Sequence, residues 1–314
     1  MRSPGAIILF PVLSDLFSVF ASDLLPIFVI AGAGFALARW LKASASTLTH
    51  VVFYALLPCL AFRLLVTTVA TGRQFGLMVL LAVLVMLAMA VIGVLLSLAL
   101  RLSRAESTAL LLVVMFSNGG NYGLPVVSFA FGEDALSYGT VFFLTGSVLT
   151  NTLGAFLAAA GRRSLRTAAA SVLRIPAIYG IAAAMFVLAT GIEMPTPLLR
   201  PITMLSDAAL PLMILVLGMQ LERVVKPARP ALVAVAVCVS LIAAPLVALG
   251  LTSLLDVSGA ARQAVVVLSS MPVAVATTIL ALEFDASPDF VTSAVFLSTI
   301  LSPITLTPLI AYLR

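Results

Sequence analysis

Charged residues in this chain gather in short clusters and leave apolar runs of roughly 16–28 residues between them. A run of about 20 apolar residues, at 1.5 Å rise per residue, matches the ~30 Å hydrocarbon core of a bilayer. Lipid offers no partner to a backbone N–H or C=O, so such runs must form helices. Composition agrees, with 62% apolar and 9% charged residues where a soluble domain carries about 25% charged. The fold class is an all-α polytopic membrane protein.

Turn residues and charges divide the 314 residues into ten spans, near 23–40, 47–70, 74–100, 106–131, 135–160, 175–190, 198–221, 230–252, 260–282 and 289–313. With the N-terminus outside, Lys and Arg in the loops distribute eleven to the cytoplasmic side and six to the outer side. That bias sets both termini outside in a cell (inner) membrane. Residues 1–22 read as an N-terminal extension or leader, because the apolar stretch Ala6–Phe20 is too short to span. A basic cytoplasmic linker, 161–174, separates a first five-helix unit (23–160) from a second (175–314). Cys59, Cys238 and the single histidine, His50, lack the spacing of a disulfide or metal site. No cofactor or metal is expected.

Two of the spans carry polar residues and proline where a membrane helix is ordinarily apolar. One reads Ser117-Asn118-Gly119-Gly120-Asn121-Tyr122-Gly123-Leu124-Pro125, the other Ser269-Ser270-Met271-Pro272. Pro58 in span two and Pro211 in span seven precede them at similar offsets, 67 residues to Pro125 and 61 to Pro272. Five spans per half make the second half enter the membrane from the opposite side, the inverted repeat of many secondary transporters. Paired interruptions in corresponding halves point to the binding site.

Each proline lacks an N–H and crowds the carbonyl four residues back, Asn121 for Pro125 and Leu268 for Pro272. The glycines let span four unwind, and a half-helix is expected to begin after each proline with its N–H groups facing the break. Two positive helix ends meeting at mid-membrane favour an anion. The ends alone hardly offset the roughly 2.5–3.5 kcal/mol of burying a charge there. Asn118 and Asn121 are expected to add amide donors, and Ser117, Ser269, Ser270 and Thr277 hydroxyls. The bland alternatives are interhelical packing for the two Asn and capping of freed carbonyls for the serines.

The run Asn118 to Pro125 resembles the fourth-helix motif of the auxin efflux carrier family, which includes plant carriers and prokaryotic permeases for malate or malonate. Ser269-Ser270-Met271-Pro272 is similar to its ninth-helix counterpart, and Leu57-Pro58, Leu210-Pro211 and Gly218-Met219-Gln220-Leu221 also fit. The resemblance runs from about residue 23 to the end. It implies ten helices in a 5+5 inverted repeat, with helices four and nine broken and crossing at their prolines. It implies a scaffold and a moving transport domain working by an elevator-type alternating access. The implied substrate site comprises Asn118, Gly119, Gly120, Asn121, Tyr122, Pro125, Ser269, Ser270, Met271 and Pro272, with Asn151 of the fifth helix facing the substrate. The long cytoplasmic loop of plant carriers is absent.

Asp207, four residues before Pro211, is an ionisable residue inside a span and hence a candidate for proton coupling, or an aspartate at an interfacial helix start. Arg63 either snorkels to the outer interface or steers anions to the mouth. Glu133, Asp134, Glu283 and Asp285 fall in solvated loops at mirrored positions. The leading reading is a secondary transporter for a small organic anion: a carboxylate, auxin-like or dicarboxylate. A sodium-coupled symporter of bile-acid-type architecture and a non-transporting sensor on the same fold stay open. An enzyme would need a metal pair, a nucleophile with its base, or an aspartate dyad, and the residues for these are lacking. The expected partners are the anion, the lipid bilayer and a second copy of the chain as a homodimer, with no nucleic acid.

Overall fold

The structure, a computed structural model, describes residues 14–67, 72–154, 175–222 and 229–314. The linker 161–174 and the first part of the 1–22 segment lie outside the described residues. Eleven helices are described: α1 Ser14–Leu41, α2 Ala45–Thr67, α3 Gly72–Ala99, α4 Arg104–Met115, α5 Leu124–Leu149, α6 Ala177–Thr190, α7 Thr196–Gln220, α8 Pro230–Leu254, α9 Gly259–Ser269, α10 Ala276–Glu283 and α11 Pro288–Leu313. Among the described residues there is no strand, only a lone antiparallel bridge between Ser117 and Val273.

Six of these helices, α1, α2, α3, α7, α8 and α11, are each long and apolar enough to cross a bilayer. α1 is already helical at Ser14, ahead of the span start read near residue 23. Local signals set the boundaries. Lys42 closes α1 with φ 54°. Ser103 and Glu106 cap α4 reciprocally, each side chain accepting from the other residue's backbone N–H. Gly132, at φ 78° and ψ −166°, interrupts α5 in a conformation that glycine reaches without a Cβ penalty. That interruption falls where the sequence separates spans four and five.

The helices pack as two groups. α1 lies along α7, and α2 packs on both α6 and α7. α3, α4, α5, α8, α9 and α11 pack on one another, with the closest pairing between α5 and α9. The first group is welded by backbone contact. A Cβ on Gly34 would sit 2.1 Å from the Leu215 carbonyl oxygen, and one on Gly218 only 1.7 Å from that of Ala31. Gly180 of α6 meets the Pro58 carbonyl in the same way, at 2.3 Å. Close approach through small residues is how membrane helices gain packing energy where lipid supplies no hydrophobic drive.

Candidate functional site

Two short non-helical segments meet inside the bundle. Phe116–Asn118 follow α4, and Ser270–Val275 follow α9. They run antiparallel and hydrogen-bond to each other: the Asn118 N–H donates to the Pro272 carbonyl at 2.7 Å, and the Ala274 N–H to that of Phe116 at 2.9 Å. Ser117 Oγ donates to the Leu268 carbonyl at 2.9 Å, the group that the Pro272 ring leaves without its helical donor. Ser298 Oγ accepts from the Val273 N–H at 3.1 Å. The polar backbone is thus satisfied inside the protein, as a membrane interior demands.

The first segment does not unwind at its proline. Pro125 lies in the first turn of α5, and the non-helical stretch falls upstream at Phe116–Asn118. Between them Gly119–Gly123 form a wider π-helical turn, closed by the Gly123 N–H on the Asn118 carbonyl at 3.0 Å. The ring is accommodated because the π-turn ahead of it shifts the backbone hydrogen bonds to the carbonyl five residues back, as the Leu124 N–H on the Gly119 carbonyl shows. Helical structure therefore resumes at Gly119, and on the other side at Ala276, just past Pro272.

Beside this crossing lies a cavity of about 320 Å³, within the range of small-molecule sites. Both helix starts border it, Gly119, Gly120 and Asn121 from one side and Ala274, Val275 and Ala276 from the other. First-turn amides have no acceptor within their own helix. The Gly119 N–H already meets the Ser117 carbonyl at 2.9 Å and the Ala274 N–H that of Phe116, so the amides left to a ligand are those of Gly120, Asn121, Val275 and Ala276. Four of the five described π-turns supply lining residues: Phe53, Gly120, Asn151 and Ser240 mark them in turn. Such turns frequently accompany functional sites because they displace the backbone out of register. Among the described residues, no Asp, Glu, Lys, Arg or His lines the cavity.

The amide side chains are disposed differently. Asn118 is 6% exposed, and its Nδ2 has no hydrogen-bond partner among the described residues. Asn121 Nδ2 donates to Gln220 Oε1 of α7 at 3.4 Å, and Asn151 Nδ2 to the Ser147 carbonyl at 2.8 Å. A buried amide donor left unpaired costs about 1–3 kcal/mol, so Asn118 is poised for an acceptor. Facing these groups is an apolar wall that includes Met86, Met89, Met115 and Phe142. Phe143 lies across the glycine pair, with its ring atoms 2.9 Å from where a Cβ on Gly120 would stand.

Of the residues the sequence singles out, Ser117, Asn118, Gly119, Gly120, Asn121, Asn151 and Ser269 line the cavity. Tyr122, Pro125, Ser270, Met271, Pro272 and Thr277 do not. Tyr122 is fully buried and its hydroxyl accepts from Ser302 Oγ at 3.1 Å. Ser269 and Ser270 donate back to the Val265 and Val266 carbonyls of their own helix, at 2.7 and 2.6 Å, and not to the carbonyl that Pro272 frees, which Ser117 meets. Asp207 stands outside the cavity and pairs with Arg63, which also reaches Glu133 at 2.6 Å. The sequence did not single out Gln220, Phe143, Ser147 or Thr150 as site residues. Gln220 was visible beside Gly218, but nothing along the chain places α7 against Asn121.

An all-helical bundle with six long apolar helices and an uncharged cavity between two helix starts is a multi-pass membrane protein with room for a solute. The family model described as membrane transport protein matches residues 19–310, and the chain belongs to that family, which includes the auxin efflux carriers. It is 31% identical over 277 residues to an uncharacterized transporter of Methanothermobacter thermautotrophicus, covering 84% of this chain and 88% of that one. It is 26% identical over 270 residues to an uncharacterized transporter of Methanocaldococcus jannaschii, covering 82% and 86%.

Proposed function

We propose that this protein is a secondary transporter that carries a small organic anion through the cavity at the crossing. One observation carries the reading: the buried, unpartnered Asn118 amide, set beside first-turn N–H groups of two helices. Those donors suit a carboxylate. Helix ends each contribute about 0.3–1 kcal/mol, up to ~2 when partly buried, so the anion is held without a cation and can be released.

The apolar wall gives the body of the ligand a place, and of the polar groups elsewhere in the lining Thr49, Thr150 and Asn151 already donate to carbonyls within their own helices. A carboxylate with an apolar body therefore fits better than a dicarboxylate. The packing supports a 5+5 inverted repeat of ten spans with broken fourth and ninth members: α1 on α7 is mirrored by α6 on α2, and α4 with α9 are short helices ending in matched interruptions. The two packing groups supply a scaffold and a moving body for an elevator-type cycle in the cell membrane, with both termini on the outer side.

Purified protein screened by thermal stability against aliphatic, aromatic and indole monocarboxylates and matched dicarboxylates tests the reading. Stabilisation of the wild type by monocarboxylates, lost in Asn118→Ala, is expected. Equal stabilisation of both proteins would overturn the assignment of the site.

A further inference from the structure

Arg63 of α2 holds two carboxylates from different helices. Its Nη1 pairs with Asp207 of α7, which lies in its own packing group, and its Nη2 with Glu133 of α5, in the other group, at 2.6 Å. Arg63 is the least exposed of the three, its side chain 20% exposed against 61% for Asp207 and 67% for Glu133. A second pair also joins the groups. Arg314, at the end of α11, reaches Asp23 in the π-turn of α1 at 2.5 Å, and the Asp23 side chain is only 4% exposed.

Both contacts sit at the end of the bundle where α1 begins. α2 returns to that end, Glu133 follows the Gly132 interruption, and α11 finishes there against the π-turn of α1. The cavity lies toward the opposite end, lined by Thr49 in the first turns of α2 and Gln220 at the last residue of α7. There, Arg39 pairs with Glu222 and Arg229 with Glu106. Each of those pairs stays inside one group, α1 with α7 and α8 with α4.

We infer that Arg63–Glu133, with Arg314–Asp23, is a latch that holds the two helix groups together at the end away from the cavity. Asp207 is its anchor. The inference rests on the two-body reading given above. When α5 moves past α2, Glu133 must leave Arg63. A half-buried guanidinium stripped of every partner is costly, since an uncompensated charge retains its desolvation penalty. Asp207 travels with Arg63 and keeps it paired in both arrangements. The two carboxylates thus act in opposite directions: Glu133 favours the arrangement seen here, and Asp207 favours the one in which Glu133 has left.

Spin labels at Leu254 of α8 and Leu198 of α7, exposed residues of different groups, read this motion without any substrate when Cys59 and Cys238 are replaced by Ala. Distance distributions are compared for the otherwise unchanged protein, Glu133→Gln and Asp207→Asn in lipid nanodiscs. The latch predicts that a second distance gains about two- to five-fold in population in Glu133→Gln, the range of a partly exposed ion pair. It predicts that the same distance loses population in Asp207→Asn. Changes of the same sign in both variants, or none in either, would overturn the latch. A single distance in all three proteins would overturn the two-body reading with it.

Discussion

Asn118 concentrates the chemistry of the site in one side chain. Among the described residues its Nδ2 is buried without a partner, on a cavity lined by no charge of either sign. Asn118→Ala removes the donor and is expected to weaken carboxylate binding by about 1.5–3 kcal/mol, the worth of a hydrogen bond to a charged group, read as a 10- to 150-fold loss of affinity. Asn118→Asp keeps the shape and places an anion where the ligand's would rest, so it should abolish carboxylate binding and leave the fold intact by size-exclusion profile. Gly120 is a second sensitive position. Gly120→Leu must displace Phe143 and fill the space over the first-turn amides. It is expected to eliminate binding at a cost of about 1–3 kcal/mol in stability, the usual range of overpacking, with the protein still folded by size-exclusion profile.

At the scale of elements, the second interruption stands because the carbonyl that Pro272 frees is met. Ser117→Ala takes the donor from the Leu268 carbonyl and is expected to cost about 1–3 kcal/mol, the penalty of an unsatisfied buried group, in denaturant unfolding in detergent. Glycines two residues apart on α1 provide an internal control. A Cβ at Gly34 would collide with the Leu215 carbonyl, while one at Gly32 meets nothing within 4 Å. Gly34→Ala should destabilise by about 1–3 kcal/mol or more, the usual range of overpacking, and Gly32→Ala should be neutral or slightly stabilising. Helix identity and the two interruptions were legible because proline, glycine and paired Asn interrupt apolar runs in ways that local physics restricts. The position of the first interruption was not, because a π-turn at Gly119–Gly123 lets the chain absorb Pro125 without unwinding there. Partnerships across the fold were equally hidden. Asn121 meets Gln220 and Arg63 meets Glu133 only once α7 and α5 are packed, and spacing along the chain carries no trace of either.

For the molecule as a whole, the account joins a cavity at one end of a helix bundle to ion pairs at the other. The group containing α1, α2, α6 and α7 is locked by backbone-to-backbone contacts at Gly34, Gly180 and Gly218. Such contacts do not slide, which suits a fixed frame. Groups that move against a frame need contacts that part at low cost, and a partly exposed ion pair such as Arg63–Glu133, worth about 0.2–1 kcal/mol, meets that need, while Arg314–Asp23, with its buried carboxylate, holds harder. The central claim is that an organic anion crosses the membrane by way of the cavity beside Asn118. The most direct measurement is flux of a radiolabelled aromatic monocarboxylate, taken from those that stabilise the protein, into proteoliposomes holding wild type, Asn118→Ala or Gly120→Leu at equal density and orientation. The account predicts saturable flux in the wild type and flux near that of empty liposomes in both variants. Undiminished flux in the two variants would contradict it.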